Sequence, residues 1–109
     1  NKQIKVQAQS DIIRINLLNK YGGVWVDATL WCQKPLEEWL IPLEEGFFGF
    51  CNAEKPDMIS SWFLAANKEN DIIKKFAEAV REYWSENDKA KEYYWFHGLF
   101  KKLYDEDEF

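Results

Sequence analysis

At 109 residues the chain holds at most one ordinary domain, with a core near the lower end of comfortable size, and a two-domain reading is excluded. Apolar residues make up 47% and aromatics 17%, six of them tryptophans, which excludes a disordered chain. The formal net charge of -5 comes without a basic stripe, which speaks against a nucleic-acid partner held through its phosphates.

In chain order, the first element is a helix from about Val6 to Lys20. Ile12, Ile13, Ile15, Leu17 and Leu18 recur at helical spacing, Ser10 or Asp11 is suited to open it, and Gly22 to close it. The glycine pair allows a tight reversal into "VWVDATLW", whose β-branched and aromatic residues over a strand-like length predict a strand ended by Pro35. "LEEWL" is expected to form a short helical turn, with Pro42 and Gly46 marking loop on either side.

"FFGFCNA" and "MISSWFLAAN" predict two further short strands around a turn at "EKPD", apolar enough to lie in a covered sheet. From Glu69 to about Tyr83 the apolar residues keep a helical period and the charges fall on the other side. "SENDK" breaks that helix, and Ala90 to Tyr104 predicts a final helix rich in aromatics before a fraying acidic tail. Helices alternating with strands predict an α/β arrangement, with a mixed or parallel sheet flanked by helices.

Cys32 and Cys51 are too few for a disulfide framework and lack the spacing of a zinc site; they are expected to be reduced, cytosolic and in the core. No charged-then-apolar leader opens the sequence, and no apolar run approaches the roughly 20 residues that cross a bilayer. The expectation is a segment of a longer protein.

Three charged residues stand out. Asp11 and Arg14 lie three apart, on neighbouring positions of one helix face, where a carboxylate that accepts and a guanidinium that donates can orient a polyhydroxylated ligand or a phosphate. A surface ion pair is the alternative from spacing alone. Asp27 interrupts an apolar strand, costly if buried alone, so it is expected at the strand end, where α/β sheets form ligand crevices. There it could bind a divalent ion or sugar hydroxyls, or merely cap the strand, and Thr29 adds a neutral oxygen two residues on.

"SDIIRINLLNKYGGVWVDATL" resembles the signature of sugar-nucleotide glycosyltransferases with a DXD sugar-binding region. There S-D-x-x-R on a helix precedes Y-G-G, an aromatic and an aspartate pair. With D-A-T, "KPL", "ISSWFLAANKEN" and "YYWFHGLF", the chain most resembles the bacterial capsular polysaccharide synthesis protein family, from about Ser10 to Phe100.

The resemblance implies a GT-A-like nucleotide-diphospho-sugar transferase fold, of which residues 1–109 would be the sugar-binding part of a longer domain. It implies donor-sugar contacts by Asp11, Arg14, Gly23, Trp25 and Asp27, with Asp27 as the first aspartate of the metal and ribose site. Thr29 stands where the second aspartate is usual, which weakens the expected manganese or magnesium site without abolishing it. His97, the one histidine, is either a core or capping residue, or reaches the diphosphate or metal from the C-terminal side. Trp62 and Trp95 are more readily core than stacking platforms, and Ser61 and Asn67 are expected on the acceptor side.

The implied reaction displaces the diphosphate of a nucleotide diphosphate sugar by a hydroxyl of a saccharide or lipid-linked saccharide, retaining anomeric configuration, in capsule or surface polysaccharide synthesis. The expected place is the cytoplasm, at the inner face of the membrane through peripheral association. The competing reading is a truncated, non-catalytic module that binds sugar or a partner.

Overall fold

A computed structural model describes residues 4–40, 46–52, 54–68 and 70–106. In chain order the elements are α1 (Val6–Tyr21), β1 (Gly23–Val26), α2 (Leu36–Trp39), β2 (Phe47–Asn52), β3 (Lys55–Ala66), α3 (Asp71–Glu86) and α4 (Trp95–Asp105). Pro42, Ala53, Glu69 and the end of the acidic tail, all used in the sequence reading, lie outside the described residues.

The fold is α/β, but its sheet is neither mixed nor parallel. The three strands run antiparallel in the order β1-β3-β2. β1 ladders onto the end of β3 with Gly23 opposite Ala66 and Val26 opposite Phe63. The connections are responsible: β2 and β3 are joined by a turn of a few residues, which permits only antiparallel pairing, and β1 returns along the same central strand. The α1-to-β1 turn needs glycine. Gly22 has φ 71°, and a Cβ there would meet the Lys68 backbone nitrogen at 2.7 Å; Gly23 has φ 112°.

One sheet face is covered by helices. α4 packs on β3, and α1 packs on α3. The core cluster there runs from Ile15 and Leu18 of α1, through Leu64 and Ala66 of β3, to Phe76, Val80 and Phe96 of the C-terminal helices. The Asn70 side chain opens α3 by accepting from the Ile72 nitrogen at 2.9 Å, as its residue type favours. On the other face Trp39 of α2 covers Phe48, Phe50 and Phe63, with ring centroids 5.4 to 6.1 Å apart.

Several local expectations are corrected. α1 starts at Val6 as expected, but neither Ser10 nor Asp11 opens it: Lys5 precedes it without a side-chain cap. The first strand stops at Val26, the third residue of "VWVDATLW", because residues 27–30 close a turn in which the Leu30 nitrogen donates to the Asp27 carbonyl oxygen at 3.0 Å. The last helix starts at Trp95, not at Ala90. Cys32 and Cys51 are exposed free thiols instead of core residues. Among the described residues no helix is long and apolar enough to cross a membrane.

Candidate functional site

The site begins with the face of α1 that turns to the core. Ala8, Arg14, Ile15 and Leu18 are buried along it, and Asp11 sits one turn before Arg14. A guanidinium on that face leaves water, and it must find anionic partners. It has two. Arg14 Nη1 donates to Asp11 Oδ1, and Nη2 donates to Asp27 Oδ1 at 3.3 Å.

Asp27 comes from the other element. It follows β1 directly, and its backbone nitrogen donates to the Trp62 oxygen of β3 at 3.0 Å, which extends the ladder by one bond and fixes the residue at the strand end. The Trp25 indole donates to Asp27 Oδ1 at 2.8 Å, and the Arg14 guanidinium carbon lies 4.7 Å from the Trp25 ring centre. Arg14 is thus clamped between two carboxylates and an aromatic face.

Exposure grades the three charges. The side chains of Arg14, Asp11 and Asp27 are 5%, 16% and 34% exposed. Burial pushes the Asp11 carboxyl above its ordinary value, an effect that the neighbouring Arg14 charge only partly offsets. All three line a cleft of about 660 Å³, within the size range of small-ligand sites. His97 lines the same cleft. Burial, with the Arg14 charge adding to it, lowers its pKa, so near neutral pH it offers hydrogen bonding rather than charge. Arg14 Nε and His97 Nδ1 are buried without a hydrogen-bond partner among the described residues.

Other expected residues fall elsewhere. Ser61 lines the cleft, whereas Asn67 is exposed beyond the far end of β3, beside the α1-to-β1 turn. Gly23 shapes that turn and does not line the cleft. Thr29 is exposed in the 27–30 turn and is also absent from the lining, because the strand ends before it and the alternation that would align it with Asp27 is lost. Trp95 is buried in the core and also lines the cleft; Trp62 is half exposed and stacks on Phe50 at 4.9 Å.

Of the residues expected at a metal ion, Asp27 and His97 line the cleft and Thr29 does not; among the described residues no three of His, Cys, Asp and Glu converge. The sequence reading missed the fourth wall of the cleft, formed by Lys89, Lys91 and Tyr93 between α3 and α4, with Lys5 ahead of α1. The available signal was alternation, since "DKAKEYY" places two lysines and an aromatic pair just before an apolar helix.

Comparison with known proteins adds the family. A family model described as capsular polysaccharide synthesis protein matches residues 1–109. Two curated fungal relatives are similar. The "O-glycosyltransferase braB" of Annulohypoxylon truncatum is 30% identical over 88 residues, 72% of this chain and 20% of its own length. The "Glycosyltransferase afumC" of Aspergillus fumigatus is 31% identical over 86 residues, 72% of this chain and 22% of its own. The chain therefore spans about a fifth of the length of these relatives. No solved structure matches it.

Proposed function

Because the chain belongs to the capsular polysaccharide synthesis protein family, we propose that it is the donor-sugar-holding part of a glycosyltransferase that uses a nucleotide diphosphate sugar. The observation that carries this reading is the buried Arg14, held by Asp11 from a helix and Asp27 from a strand end in the wall of one cleft. A charge buried this way contributes little to stability but fixes geometry. Two carboxylates held by one guanidinium keep oxygens available to accept from sugar hydroxyls.

In the proposed reaction the bond between the anomeric carbon and the diphosphate oxygen breaks, and a bond to an acceptor hydroxyl oxygen forms. The hydroxyl proton leaves to a base, and the nucleoside diphosphate carries away the bonding pair. Asp11 and Asp27 orient the sugar, and Arg14 holds both carboxylates in place. Neutral His97 contributes a hydrogen bond at the cleft wall. A divalent ion would find in Asp27 its one protein carboxylate here, with donor oxygens and water as its other ligands; it would help to neutralise the leaving diphosphate.

A hexosyl donor, retention at the anomeric carbon, and a saccharide or lipid-linked saccharide acceptor complete the reading. So does a GT-A-like fold completed by further chain, working at the inner membrane face. Calorimetry with a panel of nucleotide sugars, with and without manganese, tests it. The protein is expected to bind at least one, and Asp27→Asn to weaken that binding about tenfold or more. A protein that binds none, with a variant indistinguishable from it, is the non-catalytic module instead.

A further inference from the structure

The chain carries a net charge of -5, yet cations gather on one side of the Arg14 cleft. Lys5, Lys89 and Lys91 line it. None of their ammonium groups is engaged in an ion pair or hydrogen bond with another described residue. Of the three acids in the same lining, two are engaged by the guanidinium and one lies toward α4. Asp11 and Asp27 hold Arg14, and the Glu92 carboxylate lies beside Gly98 in the first turn of α4.

The lysines are not on a loose loop. The Tyr83 hydroxyl accepts from the Lys91 backbone nitrogen at 2.8 Å, and the Tyr83 carbonyl oxygen accepts from the Asn87 side chain at 2.8 Å. The Tyr83 ring stacks on buried Trp95 with centroids 5.2 Å apart. One tyrosine thus pins both ends of the segment that carries Lys89 and Lys91. Two further features of the same walls favour an acceptor-rich anion. Arg14, 5% exposed, has an Nε donor without an acceptor, and α1 begins without a side-chain cap or an acid in its first turn.

Resting on the glycosyltransferase reading, we propose that Lys5, Lys89 and Lys91 form a diphosphate subsite at the mouth of the Arg14 cleft. They supply by direct ammonium contact the positive charge that a lone Asp27 recruits poorly through a metal ion. Tyr83 is a positioning residue for that subsite. Sugar and diphosphate would then lie side by side, the sugar toward Asp11 and Asp27 and the phosphates toward the lysines.

The test is calorimetry of inorganic pyrophosphate and of UDP on the wild type, K89E/K91E and Tyr83→Phe, in EDTA and in manganese. Lys89 and Lys91 are exposed, so K89E/K91E is expected to keep the wild-type circular dichroism and melting temperature, and Tyr83→Phe to keep the circular dichroism and melt slightly lower through one lost hydrogen bond. The wild type should bind pyrophosphate in EDTA, with affinity that falls as salt rises. K89E/K91E should lose at least about tenfold, and Tyr83→Phe should lose less, with a smaller salt dependence.

Binding of a nucleotide sugar that K89E/K91E leaves unchanged overturns the subsite and leaves the glycosyltransferase reading standing. A wild type that binds neither pyrophosphate nor any nucleotide sugar removes both. Phosphatidylglycerol vesicles form the last arm: lysine-dependent vesicle binding without pyrophosphate binding assigns the cations to a lipid phosphate and overturns the proposal.

Discussion

The two ends of the hidden face of the sheet solve burial in opposite ways. Toward the C-terminus, α3 and α4 bring rings together: Phe76 and Phe96 lie 4.5 Å apart, and Trp84, Trp95 and Tyr83 meet at 5.1 to 5.3 Å. Beside the Asp27 end of β1, away from the α1-to-β1 turn, the chain buries a guanidinium and gives it two carboxylates. Rings release apolar area from water and need no partner of opposite sign. A buried charge needs compensation for desolvation before it contributes anything. The aromatic end therefore holds the molecule together, and the charged end holds a shape.

The largest effect that tests this contrast is expected at Phe96, which is fully buried against Phe76. Phe96→Ala should cost about 3–5 kcal/mol in urea unfolding, through lost transfer energy and a cavity. Any nucleotide-sugar affinity measured on the remaining folded fraction should be nearly unchanged. A loss of affinity as large as the loss of stability would mean that the two ends are not separable.

The charged end should respond differently to one substitution and to two. Arg14→Met strands Asp11 and Asp27, and is expected to cost about 3 kcal/mol, the low end for a broken buried pair, because Asp11 can take up a proton and Asp27 reaches water. Asp11→Leu/Arg14→Met removes the buried pair as a unit and should return to within about 1 kcal/mol of the wild type. Both variants should lose ligand binding. A double variant as unstable as Arg14→Met would show that the charges stabilise the fold rather than shape a site.

This contrast also explains what could be read from the sequence. Asp11, Arg14 and Asp27 were legible because polar residues at helical spacing and at a strand end break an apolar pattern. The structure brings all three together. The α3 helix was equally legible, since its apolar residues keep one face and its charges the other. The bounds of α1 were legible to about a residue, but its inner face was not, because Val6, Ile13, Leu17 and Tyr21 are exposed on a second stripe while Arg14 is buried on the first, so apolarity does not mark that face.

The strand direction was not legible. For β1 it is decided by pairing with β3 across about forty residues, which no local pattern shows; for β2 and β3 the short connection decides it, and the alternation of helices with strands pointed away from that hairpin. The lysine wall was missed for a related reason. "SENDK" correctly ends α3, but a helix terminus says nothing about where the following loop is pinned, and here the pin is the side chain of Tyr83, four residues before Asn87.

A smaller effect is expected from His97, which faces Arg14 across the cleft and lies against Tyr94 and Phe96. Burial lowers its pKa below the ordinary 6.5. The unfolded chain therefore takes up the proton first as pH falls, and stability drops from about pH 6.5 downward until the folded-state pKa is passed. Thermal melts of the wild type and His97→Gln between pH 8 and pH 5 should show the difference narrowing as pH falls. Asp11, whose pKa is shifted the other way, is common to both proteins and cancels in that difference. Parallel curves would place His97 in a solvated setting.

The smallest effect is expected at Thr29. The DXD pattern that the sequence resembles would have its second aspartate at Thr29, and Thr29→Asp supplies that acid by letter. Yet residues 27–30 form a turn, Thr29 is exposed in it, and the cleft is lined by Asp27 but not by Thr29. A carboxylate added there meets water, with little desolvation and no fixed partner, so stability should stay within about 0.5 kcal/mol. Nucleotide-sugar affinity in manganese should also stay within about twofold, because Thr29 does not line the cleft proposed for the donor. A tenfold gain, seen with manganese and absent in EDTA, would mean that the turn rearranges around a bound ion. It would shift the weight of the site from the Arg14 clamp and the lysines to the metal, and the separation between a shape-holding end and a stabilising end would then hold only for the unliganded protein.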